Sequence, residues 1–209
     1  GTGNRIAAGA VVEGCLEGDV TVEAGAVVEA GAFVGAGSRI GARAVVHAHA
    51  RLGRGCVVQS GAVIGSQGFG FFPGDGGARH LPHAGGVDIG DGCWLGANSV
   101  VAAGVLRPTV LGPGCKVDSL VQIAHNVRIG EGAMIAAHCG IAGSTVIGKR
   151  FRMGGSAGLN GHIRIGDDVT VAAFSGVTKD LPDGATVAGF PALPIREWRR
   201  QQVRLKSFS

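Results

Sequence analysis

Aliphatic side chains recur at every sixth position along most of this chain. Val22, Val28, Val34, Ile40, Val46, Leu52, Val58 and Ile64 form one series, and Ile89, Leu95 and Val101 a second. A third runs through Leu111, Val117, Ile123, Ile129, Ile135, Ile141, Ile147, Met153, Leu159, Ile165, Val171 and Val177. Four places after the aliphatic residue the chain is usually small, as at Ala26, Ala32, Ser38, Ala44, Ala62, Ser99, Ala133, Thr145 and Ala157. An amphipathic helix repeats every 3.6 residues and a half-buried strand every two. A six-residue period held this long fits neither. It fits a coil with three flat faces, one hexad per face and 18 residues per turn. The aliphatic residue then points into a triangular prism, the small residue fills the space beside it, and Gly eases the corner. Stacked coils bury a continuous column and pair their backbones as parallel strands. The predicted class is all-β.

The register slips in three places. Val12 to Val22 and Val101 to Leu111 each span ten residues, and between Ile64 and Ile89 the pattern stops. The intervening stretch 66–86, SQGFGFFPGDGGARHLPHAGG, is rich in Gly and Pro and reads as a loop excursion from the prism. Its Phe69, Phe71 and Phe72 are costly to leave in water, so a site or a subunit contact is expected there. After Val177 the repeat ends. Residues 1–188 are read as the β-helix domain, and 189–209 as a cap followed by a short basic helix from about Pro194. A solenoid needs such a cap on its open end.

Composition supports this picture. Gly accounts for 40 of 209 residues, more than double the usual share of about 7%, without the Pro content of collagen. Tyr is absent and aromatics are few, so stacked Val, Ile, Leu and Ala must fill the core. The net charge of +4 is mild, but Arg196, Arg199, Arg200, Arg204 and Lys206 cluster at the end of the chain. Such a cluster suits an acidic partner and gives no reason to expect nucleic acid. The five cysteines show neither CxxC nor zinc-ligand spacing, and four of them fall in the small-residue slot. They read as reduced packing thiols, and no metal is expected. No apolar run reaches membrane-spanning length and no signal peptide is visible, so a cytoplasmic protein without an integral membrane segment is expected.

The repeat also makes the histidines legible. Residues 18 apart stack one coil above another, about 4.8 Å apart. Gly143 lies 18 residues after His125, directly one coil above it. His162 lies two coils and one residue beyond His125, on the same edge and about 10 Å along the axis by the same spacing. Neutral imidazole suits a general base for an amine that must lose a proton as it attacks a thioester. A backbone N–H at a Gly corner suits an oxyanion. Asn126 is placed to orient the base, and His162 to position substrate or assist with developing charge.

The stretch SLVQIAHNVRIGEGAMIAAHCGIAGSTVIG at 119–148 resembles the UDP-3-O-acylglucosamine N-acyltransferase family of lipid A biosynthesis. The GFGF loop at 68–71, LNGHIRIGD at 159–167 and GFPALPIREWRR at 189–200 carry the same resemblance. The fold it implies is a left-handed parallel β-helix of hexapeptide repeats, with the loop excursion and a short C-terminal α-helix. The activity it implies is transfer of a hydroxyacyl chain from acyl carrier protein to the 2-amine of a UDP-linked 3-O-acylglucosamine. His125 is then the base, Gly143 the oxyanion donor and His162 the supporting histidine. The expected substrate-binding set is Gln122, Asn126, His138, Asn160, Phe69, Phe71, Phe174 and Gly176, with Phe174 and Gly176 bearing on acyl length. Arg196, Arg199, Arg200 and Arg204 would receive the carrier protein. No bound cofactor is implied; the donor is acyl-phosphopantetheine on the carrier protein, or acyl-CoA. The family is homotrimeric with sites between prisms. It also carries a uridine-binding domain ahead of the helix, where this chain enters the repeat almost at once.

Two other readings stay open from the sequence. One is a CoA-dependent sugar N-acetyltransferase, or a paralogue with another amine acceptor, since VTKDLPDGATVAGFPALPIR also fits that group's cap. The other is a non-catalytic β-helix scaffold.

Overall fold

The computed structural model describes residues 1–206 and is a left-handed parallel β-helix of three faces. Strands of two to four residues supply each face in rotation. The first face runs from Arg5–Ile6 through Gln-free pairs such as Arg39–Ile40, Lys116–Val117 and Thr170–Val171. The second contains Val63–Ser66, Gln122–Ile123, Gly140–Ile141, Gly158–Leu159 and Gly176–Val177. The third contains Val87–Ile89, Thr109–Leu111, Arg128–Ile129 and Val146–Ile147. Register follows the 18-residue spacing, as in Gln122↔Gly140 and Gly140↔Gly158. The hexad series points inward: Val22, Ile40, Leu95, Ile123 and Ile141 are all buried in one contiguous core.

The small-residue slot forms its own columns. Cys56, Cys93 and Cys115 occupy successive coils of one, and each thiol donates to the carbonyl of a corner glycine on the next coil: Gly90, Gly112 and Gly130, at 3.2–3.3 Å. Cys139 does the same to Gly154 at 3.1 Å, and burial pushes its thiol above the ordinary value. These are packing thiols turned into the prism. Phe151, fully buried, is the one large ring taken into the column above Cys115 and Ala133.

The register slips have structural causes. Val58 pairs with Leu95, where an unbroken 18-residue spacing requires residue 76. The surplus is the excursion, which is an antiparallel hairpin of Phe71–Gly74 and Gly77–His80. Asp75 and Gly76 form its turn; Asp-Gly between strands is a strong hairpin signal, and the sequence carried it. The smaller slip after Val101 is a turn over 103–108, bridged to the excursion by Gly86↔Gly104.

The repeat closes with Thr186–Ala188 on the first face and Leu193–Pro194 antiparallel to it. Helix α1, Ile195–Lys206, follows and packs on both. The last three residues of the expected 189–209 cap lie outside the described residues. Among those described, no helix is long and apolar enough to cross a membrane.

Candidate active site

His125 and Asn126 form the corner between the second and third faces, just after strand Gln122–Ile123. Asn126 takes the left-handed conformation, φ 60°, which Asn tolerates better than most residues. Its backbone N–H donates to Thr109 Oγ1 at 2.9 Å. Its side-chain oxygen accepts from the Val105 N–H at 3.2 Å, and its Nδ2 donates to the Arg107 carbonyl at 3.2 Å. These two contacts assign the amide orientation. The atom facing His125 Nδ1 at 3.1 Å is therefore an acceptor, Oδ1. Nδ1 must carry the proton, so the lone pair of His125 is on Nε2.

That edge of the ring lies against Gly143. A Cβ built on Gly143 would stand 2.7 Å from His125 Nε2 and Cε1. No side chain fits there, so the imidazole reaches the backbone of the coil above. Among the described residues, no protein group accepts from the Gly143 N–H. Ser144 N–H donates to the His125 carbonyl and His162 N–H to the Gly143 carbonyl, at 3.0 and 3.1 Å, which locks the three coils in register. His162 thus shares the corner, exposed and with φ 61°.

The excursion folds over the other side of His125. A row of rings leads from its exposed surface inward: Phe69, Phe71, His80, His83 and His125, with successive centroids 5.1, 5.2, 5.6 and 5.0 Å apart. Phe69 is 89% exposed and His83 only 3%. Gln67 ties the two ends of the excursion, accepting from the His83 N–H at 2.8 Å. His80 Nε2 donates to the Gly68 carbonyl at 3.0 Å. Burial, then any charge on His125, holds the His83 pKa below the ordinary imidazole value.

The remaining sequence candidates spread along the second face. Gln122, Gly140, Gly158 and Gly176 stack outward in one line. Space above Gly140 and Gly158 is open, whereas Gly176 lies beneath the Phe190 ring. Asn160, Phe174, Gly176 and Phe190 line a groove of about 530 Å³ at that end. His138 does not join His125. It precedes the strand of this face while Gly143 follows it, so five residues of chain carry it across to the opposite edge. There it stacks with Leu120, Ser156 and Phe174. The arginines 196, 199, 200 and 204 sit on α1, and the first three are exposed at the capped end. No cluster of three or more His, Cys, Asp or Glu suited to a metal ion occurs among the described residues. A groove of about 780 Å³ lies on the first face between Trp94, Met134 and Val171, away from His125.

Sequence reasoning missed His83 and the 103–108 turn. Nothing in a six-residue period addresses residues outside the prism. A His three positions after another in the interrupted stretch HLPH was the available signal.

These features are those of a hexapeptide-repeat β-helix: the bacterial transferase hexapeptide profile (six repeats) matches residues 31–66 and 108–143, and the hexapeptide repeat of succinyl-transferase matches 86–119. The chain is similar to the UDP-3-O-acylglucosamine N-acyltransferases. It is 53% identical to that of Azorhizobium caulinodans over 162 residues and 41% identical to that of Methylobacterium nodulans over 158. The matches take in 78% and 76% of this chain but 45% of each relative, so the chain spans about half the length of the proteins it matches. Among solved structures, the UDP-N-acetylglucosamine acyltransferase of Bacteroides fragilis superposes with a TM-score of 0.80, at 22% identity, covering 92% of this chain and 76% of that one. LpxA of Acinetobacter baumannii gives 0.78 at 20%, covering 96% and 76%. Those two likenesses bear on the fold alone.

Proposed function

We propose that this chain moves an acyl group from a phosphopantetheine thioester on acyl carrier protein to the amine of a UDP-linked amino-sugar such as UDP-3-O-acylglucosamine. The observation that carries the proposal is the fixed tautomer of His125, with Nε2 as the basic edge beside Gly143. Neutral imidazole at that edge takes a proton from the attacking amine. The new C–N bond forms as the thioester carbonyl becomes an oxyanion, which accepts a hydrogen bond from the free Gly143 N–H. Collapse expels the thiolate, and His125 returns the proton to it. His162, one coil beyond Gly143, supports the substrate. Asn126 holds the base rather than the sugar.

The acyl chain lies along the glycine line of the second face, from the coil of Gln122 to Gly176, three coils or roughly 14 Å. Phe174 and Phe190 close its far end. An open line of that length favours a long acyl donor over the acetyl group of a CoA-dependent N-acetyltransferase. The basic face of α1 receives the acidic carrier protein, Phe69 and Phe71 contact the acceptor, and the half-exposed Trp94 and Met134 of the first face meet a neighbouring prism in a homotrimer. The setting is cytoplasmic.

The deciding experiment is a donor–acceptor matrix with mass detection: long-chain acyl carrier protein and acetyl-CoA against UDP-amino-sugars and free amino-sugars. Acylated UDP-sugar with the carrier-protein donor is expected. Product only with acetyl-CoA supports the N-acetyltransferase reading, and no product with any pair supports the scaffold.

A further inference from the structure

His83 stands out among the groups around the base. It is 97% buried by the measure of its 3% exposure, yet Nδ1 and Nε2 both lack a hydrogen-bond partner. Buried polar atoms are nearly always paired, and a phenyl ring in the same place carries no such cost. Packing alone therefore explains a ring at this position but not a nitrogen heterocycle. The ring is closely fitted. A Cβ on Gly68 would meet His83 Nε2 at 2.5 Å and His125 Cβ at 2.9 Å, and one on Gly70 would meet His83 Cε1 at 2.9 Å. The two glycines let the excursion press His83 onto the base. The rings of His83 and His125 lie 5.0 Å apart at 63°, edge to face.

We propose that His83 is a positioning residue for the base, a neutral imidazole whose nitrogens are left unpartnered so that they can stabilise the imidazolium formed when His125 takes up the amine proton. This rests on the reading of His125 as base. His83 gains and loses no proton: the proton leaves the amine for His125 Nε2 and leaves His125 for the departing thiolate. An imidazolium within about 6 Å of a ring is attracted by it, and a buried lone pair strengthens that attraction where water cannot screen it. The role requires His83 to stay neutral, and its surroundings favour that. The titratable groups facing it are His125 from the coil corner and His80 from the hairpin, and a charge on either opposes a charge on His83. Burial acts in the same direction and most strongly. The Leu81 carbonyl pulls the other way without reaching hydrogen-bond geometry.

The experiment is a titration of His125 in ¹⁵N-histidine-labelled protein, read by the imidazole nitrogen shifts, for the wild type, His83→Phe, His83→Met and His83→Gln. His83→Phe and His83→Met are expected to lower the His125 midpoint by about one pH unit, equivalent to about tenfold in the stability of its charged form. They should lower kcat by a similar factor with KM little changed. His83→Gln, polar but not titratable, should restore most of both. An unchanged or raised His125 midpoint in whichever of the two apolar variants folds overturns the proposal. So does a failure of His83→Gln, correctly folded, to do better than they do. The titration needs no substrate, so absence of transfer by the wild type would count against the proposed function and leave this inference to the midpoints.

Discussion

Gly143 lies directly over the imidazole of His125, so close that a Cβ there would stand 2.7 Å from Nε2. The same glycine offers an N–H with no protein acceptor among the described residues. The proposed base and oxyanion donor are thus fixed against each other by coil stacking rather than by a flexible loop. Gly143→Ala should push the ring off the Asn126 acceptor and move the N–H from its place. We expect transfer to fall by roughly 100-fold, the scale of losing one oxyanion donor, with the β-helix intact by circular dichroism. Activity close to wild type would mean that the ring does not work from this position.

His125→Ala should lower transfer at least ~100-fold. Asn126→Leu keeps His125 but removes the acceptor for its Nδ1 proton and the anchor of the 103–108 turn. It should leave the His125 tautomer mixed and cost about tenfold in kcat, one hydrogen bond's worth. Single-turnover rates with saturating acceptor separate this from weaker binding. Transfer by His125→Ala at the wild-type rate would remove the base assignment altogether.

Much of this was legible in the sequence because the fold converts spacing into position. Eighteen residues means one coil, so His125, Gly143 and His162 could be stacked on one corner without coordinates, and the hexad core of Ile123, Ile141 and Leu159 could be named outright. The same rule misleads when nearness along the chain is taken for nearness in space. His138 is five residues from Gly143, but those five cross a face. Arithmetic also fails where the chain leaves the prism. His83 reaches the base through a hairpin, and the clamp by Gln67 and the contact of Gly68 with His125 depend on tertiary packing that no period encodes. Phe190 was hidden for a related reason: it covers Gly176 only because the chain turns back antiparallel at the cap.

The glycine line of the second face predicts acyl selectivity. Gly158 lies open and lines the near part of the groove that Phe174 and Phe190 also line. Gly158→Met should block it midway and shift preference to shorter donors. Phe190→Ala should open the far end over Gly176 and admit longer ones. Competition among carrier-protein donors of graded length, read by product mass, checks both. An unaltered preference in Gly158→Met would place the chain elsewhere.

Phe151 tests the packing of the prism. It is fully buried in a column otherwise held by small residues such as Cys115 and Ala133. Stacked coils pinned by backbone hydrogen bonds have little room to close on a void. Phe151→Ala should therefore cost about 3–5 kcal/mol, read from chemical denaturation at fixed protein concentration. A loss well below that range would mean that the coils collapse around the gap.

The buried His83 makes a prediction for stability against pH. Its folded pKa is lowered, mainly by burial, while in the unfolded chain it titrates near the ordinary value of about 6.5. Above that value both states hold a neutral ring and His83 contributes no pH dependence. As pH falls below it, the unfolded chain binds the proton first, so the folded state loses ground. The loss grows until pH reaches the folded value and then stays constant. Carboxylates with lowered values, such as Glu29 and Asp168, act lower, where an ordinary carboxyl begins to protonate near 4. Denaturation midpoints measured through the mildly acidic range should therefore decline in the wild type and decline less in His83→Gln. Parallel curves for the two proteins would show that His83 exchanges its proton in the folded state as freely as in the unfolded one.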